Sequence, residues 1–506
     1  MLSQARACHT YCTPVCAQFT TQTMAFHFIY RQTFATLRRL RRALHPSPCS
    51  TNGNEPQSLR STAWLDGLRG LAALSVFILH HEEYGHHMSK YIIIEDPWGL
   101  NGQYHIATFP FIRLIFSGGI FAVPIFFIIS GYVLAHKPLQ LVQQQDFSVL
   151  AKSTGSSLFR RWGRLFLPVY VSTFIWMSSW YALGFRSLAK GSPELLDSWT
   201  AELRRWWDLH NAGDITGYNP HLWTIPEEFW GSVFIYCTIL ATSRFSKEAR
   251  LVTEVAMCAY RLYLAKVDAL FFVGLIFCDI SLLSEAKQLP NPLKRVRPRH
   301  QGMWYIFLVL GLYMSALGHG FAGEPQHFSA YPGWSALHLL LPPNYPDFKF
   351  WYRFWGSTLA VTSIPQISSC KHILEMRFPQ YLGRVSYSFY LIHGPLLWSV
   401  GVRMYAACGL ARRYRQIRTC DNWMKLPNTG PLGMEVRWLL PMLFMLILTL
   451  AVADLFTQLV DEPSIKFVQW AFSEGVDGTP KNAYALQQVD PESTPEGNPC
   501  DNVLIV

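Results

Sequence analysis

Charge is scarce in this chain. Of its 506 residues only 15% are charged and 50% are hydrophobic, whereas about 25% of an ordinary soluble domain is charged. The sequence holds no Walker loop, no dinucleotide fingerprint and no zinc-ligand spacing. It gives no ground for nucleotide hydrolysis, nicotinamide chemistry or a metal centre, and no bound cofactor and no metal are expected. No Ser or Cys stands in a nucleophile setting, which disfavours a covalent intermediate. The eleven cysteines form no disulfide framework. Cys237, Cys258 and Cys278 fall in apolar runs and read as packed thiols, while Cys8, Cys12 and Cys16 fit a helical stripe, a lipidation site or chance. No clean apolar signal-peptide core precedes the basic cluster Arg38, Arg39, Arg41, Arg42. No internal repeat is found, which argues against a transporter built from repeated halves.

What the chain does have is length of apolar sequence and many aromatics: 18 Trp, 23 Tyr and 34 Phe. A hydrocarbon core of about 30 Å needs about 20 apolar residues. Runs of that kind lie at 65–83, 115–136, 165–185, 222–243, 250–264, 268–284, 302–321, 351–368, 381–404 and 436–459. The reading is an all-α, polytopic membrane protein of about ten helices embedded in a lipid bilayer, with an endoplasmic reticulum or other endomembrane location. The formal charge of +10 sits largely beside apolar runs, so it reads as the positive-inside rule and not as nucleic-acid binding. The run at 250–264 is short and carries Glu254 and Arg261. It is kept because ten crossings from a cytosolic N-terminus put the loops at 137–164, 244–249 and 285–300 on the cytosolic side. The arginines of 406–435 then break the rule. Residues 1–60 read as a basic cytosolic segment, part of it interfacial or disordered, with an organelle transit peptide as a weaker reading. Residues 61–470 form the membrane domain and 471–506 a disordered tail. The segment 322–350, rich in Pro and aromatics, reads as an ordered lumenal or re-entrant loop.

Ionisable residues inside the apolar runs are the first functional candidates, because burying them in lipid costs about 2.5–3.5 kcal/mol on insertion scales. Arg69 and His80 stand eleven positions apart in LDGLRGLAALSVFILHH. At 3.6 residues per turn they share a helix face, about 16 Å apart along the axis. Histidine is the commonest general base. Arginine offers a planar fork of donors to phosphate or carboxylate. Arg69 alone is as readily explained by snorkelling or by pairing with Asp66. His81 points about 100° away, and His86 and His87 read as solvated.

Three further blocks carry polar residues in apolar surroundings. HLWTIPEEFWG opens a run with Glu227 and Glu228. Acids after Pro226 suit a helix start, and Glu228 could also face inward to pair with Arg69 or orient His80. YLGRVSYSFYLIHGP aligns Ser386, Tyr390 and His393 in one stripe, which fits interhelical contact as well as substrate binding. FRRWGRLFLP supplies Arg160, Arg161 and Arg164, suited to anionic lipid or to a phosphorylated cofactor.

These blocks in this order, with FAVPIFFIISGYVLAHKPL and the closing VDEPS, resemble the acyltransferase 3 family of integral membrane acyltransferases, and in detail its fungal members. The likeness spans about residues 60 to 470. It implies about ten transmembrane helices and transfer from acyl-CoA, with acetyl-CoA as the expected co-substrate, to a hydroxyl or amine. It implies catalytic roles for His80 as general base, Arg69 and Glu228. It implies cofactor contacts from Arg160, Arg161 and Arg164, and acceptor contacts from Ser386, Tyr390 and His393. Glu227 and Trp230 depart from the family pattern, which leaves open which carboxylate matters. The expected reaction is O-acylation of a small fungal metabolite, a polyketide or terpenoid, by direct transfer. A carbohydrate or cell-surface glycan acceptor is the alternative, and a membrane exporter the alternative of another class.

Overall fold

The computed structural model describes residues 38–39, 60–85, 109–185, 196–296, 300–316, 334–410, 420–430 and 435–475. Among them every regular element is helical. The longer helices, in chain order, are α1 (Ala63–Gly85), α2 (Gly119–Gln143), α3 (Phe147–Ala182), α4 (Trp199–Asn211), α5 (Thr224–Thr242) and α6 (Lys247–Tyr263). After them come α7 (Ala269–Glu285), α8 (Gln301–Ser315), α9 (Phe348–Ser363), α10 (Arg377–Leu396), α11 (Val436–Phe456) and α12 (Glu462–Gly475). Each apolar run is helical over most of its length. Helix starts carry side-chain caps: Asp146 on α3, Ser198 on α4, Ser246 on α6 and Asp347 on α9 each accept a backbone N–H of the first turn.

Among the described residues three helices are long and apolar enough to cross a membrane: Ala63–Gly85, Gly119–Gln143 and the continuous Val436–Gly475. Gln301–Ser315 is a shorter apolar helix. This falls short of the expected ten, because several helices carry polar residues or stop before spanning length. The distribution of residues is nonetheless that of a membrane protein. Ile306 and Val309 on α8, and Leu440, Leu443 and Ile447 on α11, are exposed. Arg250, Glu254 and Asp279 are buried between α6 and α7. Helix α6 is therefore inside-out, with Arg250 in a two-bond pair to Asp279 at 2.7 and 2.8 Å and with Val252, Val255 and Tyr260 facing outward. Lipid on the outside and paired charge on the inside explain such a helix.

The basic block at 159–168 does not sit in a loop, as the 137–164 reading had it. Helix α3 starts at Phe147 under the Asp146 cap and runs through it for 36 residues. The 471–506 reading is corrected only at its start, where α12 continues to Gly475; the remainder lies outside the described residues. So do His86, His87, most of 1–60 and all of 322–333.

Helix α1 lies between two apolar cores. One joins it to α2, α5, α7 and α9, the other to α3, α10 and α11. Its closest partner is α10, and the approach depends on glycine. A Cβ on Gly70 would lie 2.4 Å from Gly383 N, and one on Gly383 would lie 2.4 Å from Asp66 O. Small residues let two backbones touch where lipid offers no hydrophobic drive. Along this seam Arg69 meets Gly383 and His80 meets His393. The two helices therefore run parallel.

Candidate active site

The α1–α10 seam carries a polar centre at each end. At the first, Arg69 Nη2 donates to Gly383 O at 3.1 Å and pairs with Asp66 at 3.1 Å. From α3, Arg161 donates through Nη2 to Glu228 Oε2 and through Nε to Ser232 Oγ, both at 2.6 Å. Ser130 Oγ donates to the same carboxylate oxygen at 2.8 Å. Arg164, one turn on, lies in the fields of Asp461, Arg69 and Arg161. Three arginines thus converge with Asp66, Glu228 and Asp461. Arg69 Nε and Asp461 Oδ1 are buried with no hydrogen-bond partner. Buried polar atoms in this state point to a bound polar group.

Several expectations change here. Glu228 faces inward and Glu227 is exposed. Glu228 does not bond Arg69 or His80, however; its partners are Arg161 and Ser130, because α5 packs on α2 and α3 at this level. Arg161 is accordingly half-spent as an anion site. Arg160 turns away from the centre and bonds Ser156 O and Ser157 within its own helix. Ser386 Oγ donates to Gly383 O at 2.8 Å, so its hydroxyl serves its own helix.

The second centre holds three imidazoles. His80 lies 3.9 Å from His221 and 5.3 Å from His393 between ring centroids, and His221 lies 4.8 Å from His393. His80 Nδ1 bonds Glu83 Oε2 at 2.9 Å. A carboxylate can only accept, so Nδ1 carries the proton and Nε2 keeps its lone pair. His393 Nδ1 bonds Tyr390 O at 2.6 Å, which fixes the same tautomer. Tyr390 contributes differently from expectation: its hydroxyl donates to His221 O and meets Thr224 Oγ1 at 2.7 Å. It positions His221 and does not stand open to a substrate. His81 faces the other way, fully buried against Tyr405 at 2.8 Å.

Ligand nitrogens of the three histidines lie within 4.8 Å of one another, a set that could hold a metal ion. Zinc at about 2.0–2.1 Å from each nitrogen needs them roughly 3.4 Å apart, so the rings would have to draw in. Without a metal, the arrangement supplies a lone pair backed by a carboxylate. That is the equipment for removing a proton from a hydroxyl.

Glu83, His221 and Asp461 were not singled out from sequence. His221 and Asp461 stand inside blocks that were, HLWTIPEEFWG and VDEPS. Glu83 had a usable signal, its i,i+3 spacing from His80.

Comparison with known proteins identifies the family. The profile of the family's acyltransferase domain matches residues 62–458. The chain belongs to the acyltransferase 3 family. It is 30% identical over 476 residues to the O-acetyltransferase PaAT-1 of Phomopsis amygdali, covering 85% of this chain and 88% of that one. It is 24% identical to acyltransferase R4 of Phoma sp., over 72% of this chain and 88% of the relative. It is 25% identical to acyltransferase clz18 of Cochliobolus lunatus, over 69% and 86%. No solved structure matches. The protein is a membrane acyltransferase that transfers groups other than aminoacyl groups.

Proposed function

We propose that this acyltransferase moves an acyl group, most simply acetyl, from acyl-CoA to a hydroxyl of a small fungal metabolite. One observation carries the reading: the arginine centre and the histidine centre lie on one seam, eleven residues of helix apart, or about 16 Å. That separation suits an extended phosphopantetheine arm. Arg69 and Arg164 take the phosphates, with Arg161 held in place by Glu228. The thioester then reaches the histidines. His80 Nε2 removes the acceptor's proton, and Glu83 stabilises the imidazolium that forms. His80 is preferred to His393 as base because it alone has a carboxylate behind it. His393 lines the acceptor side. Transfer is taken as direct, since no Ser or Cys of the sequence stands in a recognisable nucleophile setting.

The parallel run of α1 and α10 supports the ten-crossing topology. Two parallel crossings require an odd number between them, and the runs from 115–136 to 351–368 are seven. Omitting α6 leaves six and would make the pair antiparallel. The endoplasmic reticulum is the proposed membrane. The relatives' printed names, an O-acetyltransferase and two acyltransferases from fungi, support an ester product.

Metabolite extracts from cells with wild type, Arg69→Ala, His80→Ala or a deletion test this by mass spectrometry. One metabolite should lose an acyl mass in both variants as in the deletion, at unchanged protein level. A deletion that changes no acyl mass would refute the reading. Variants that keep the mass would refute the site while leaving acyl transfer standing.

A further inference from the structure

We propose that His221 is a catalytic residue, whose Nε2–H donates a hydrogen bond to the thioester carbonyl oxygen as negative charge develops on it. The inference rests on the acyl-transfer reading and adds a residue to its centre. His80 and His393 both carry their proton on Nδ1, bonded to Glu83 and to Tyr390 O, so each keeps a lone pair on Nε2, and a nitrogen of each of the three rings lies within 4.8 Å of the others. A third lone pair there would repel both. His221 is free to present hydrogen instead, because its ring makes no hydrogen bond among the described residues and its Nε2 is buried without a partner. A buried donor left without a partner is costly, and a reacting oxygen would remove that cost.

The surroundings fix this ring more firmly than packing alone requires. Its backbone N–H donates to Asn219 Oδ1 at 3.1 Å, and its carbonyl accepts from Tyr390. Asn219 Nδ2 in turn donates to Leu391 O on α10 at 3.2 Å. Trp398 stacks on the ring at 5.0 Å and 15°. Space beneath it exists because residue 394 is glycine: a Cβ there would lie 2.7 Å from His221 Cδ2 and 3.3 Å from Nε2. Such preorganisation is what stabilises charge in a transition state without reorganisation at the moment of reaction, and a neutral imidazole is a competent donor.

The step balances. The acceptor O–H proton passes to His80 Nε2, and the oxygen forms a bond to the carbonyl carbon. The C=O π pair moves to oxygen and is held by His221 Nε2–H. When the pair returns, the C–S bond breaks, and the CoA sulfur takes the proton from His80. Ester and CoA thiol leave, and His221 is unchanged.

The test uses full-length protein in nanodiscs, with extract of the deletion strain as acceptor, and compares acetyl-CoA with its dithioester analogue. Sulfur in place of the carbonyl oxygen is a poor hydrogen-bond acceptor, so losing a donor to that atom should narrow the preference for the oxygen compound beyond their intrinsic difference in reactivity. Wild type should strongly prefer the oxygen compound. His221→Ala should lower kcat for acetyl-CoA about 10²- to 10³-fold with KM little changed, and bring the oxygen-to-sulfur ratio toward one. His221→Gln, which keeps an N–H, should recover part of the ratio, and Gly394→Ala should lower it by displacing the ring. Equal loss on both substrates in His221→Ala and His221→Gln would overturn the proposal and leave acyl transfer intact. So would one tightly bound zinc per wild-type chain that is lost in His221→Ala. No release of CoA thiol by wild type would overturn both.

Discussion

Removing the Glu228 carboxylate should destabilise the protein before it affects any chemical step. Arg161 and Glu228 are nearly buried, with side-chain exposures of 10% and 13%. In Glu228→Ala the guanidinium keeps Ser232 but loses its counter-charge. Breaking a buried pair by deleting one partner costs about 3–5 kcal/mol; the surviving Ser232 bond and the slight exposure favour the lower end, about 3 kcal/mol. Glu228→Gln retains an acceptor for Arg161 and Ser130 and should lose less, since a charged hydrogen bond is worth roughly 1.5–3 kcal/mol. The double variant Arg161→Met with Glu228→Leu removes both charges and should recover most of the stability. Tryptophan-fluorescence melting in detergent measures all four proteins, with acetyl-CoA turnover in parallel. A double variant that is folded but inactive would assign Arg161 to donor binding. A Glu228→Ala protein that melts with wild type, or a double variant no more stable than the single ones, would refute the reasoning.

Three further outcomes follow from the same structure. Gly70→Ala should lower the melting temperature, since its Cβ meets backbone of α10, whereas Gly155→Ala, in α3 with nothing within 4 Å, should gain about 0.5–1 kcal/mol. Arg250→Met should cost about 3–5 kcal/mol by stranding Asp279 and Glu254; a melting temperature equal to wild type would contradict the inside-out account of α6. Burial holds His210 below its ordinary 6.5, so the folded state keeps it neutral while the unfolded chain protonates near that value. Its contribution is complete above about pH 6.5 and falls as pH drops toward the lowered folded value. Between pH 7.5 and 5.5 wild type should therefore lose more melting temperature than His210→Gln, and equal slopes would count against it.

The helices were legible because length and apolarity report burial in lipid directly. The Arg69–His80 face was legible because helical period alone places two residues of one segment. Contacts between segments were not legible. Glu228 was read inward correctly, yet its partner came from α3 and not α1, since a period says which face is buried but not what covers it. Arg160 and Arg161 are neighbours in sequence, and about 100° of helical turn sends one to the centre and the other to its own helix's surface. The crossing number was the weakest part for a related reason. Helix α6 hides its charges against α7, so mean apolarity understates a helix whose polar face is already paired.

The parallel seam explains why the chemistry was found at two points and not scattered over the bundle. Gly70 and Gly383 bring α1 and α10 into backbone contact near the arginines, and from there the helices continue side by side. Residues at equal distances from that contact must then face one another. Arg69 with Gly383, and His80 with His393, are pairs of this kind. Any substitution that opens the glycine contact should thus act at the histidines too, some three turns away, by shifting the register of α10. Gly383→Ala, whose Cβ would lie 2.4 Å from Asp66 O, is the test in protein that still folds. It should lower turnover by misplacing His393, while acetyl-CoA binding at the arginines on α3 changes less. Equal loss of binding and turnover would mean that the two centres are not aligned by the seam but held independently by the helices around them.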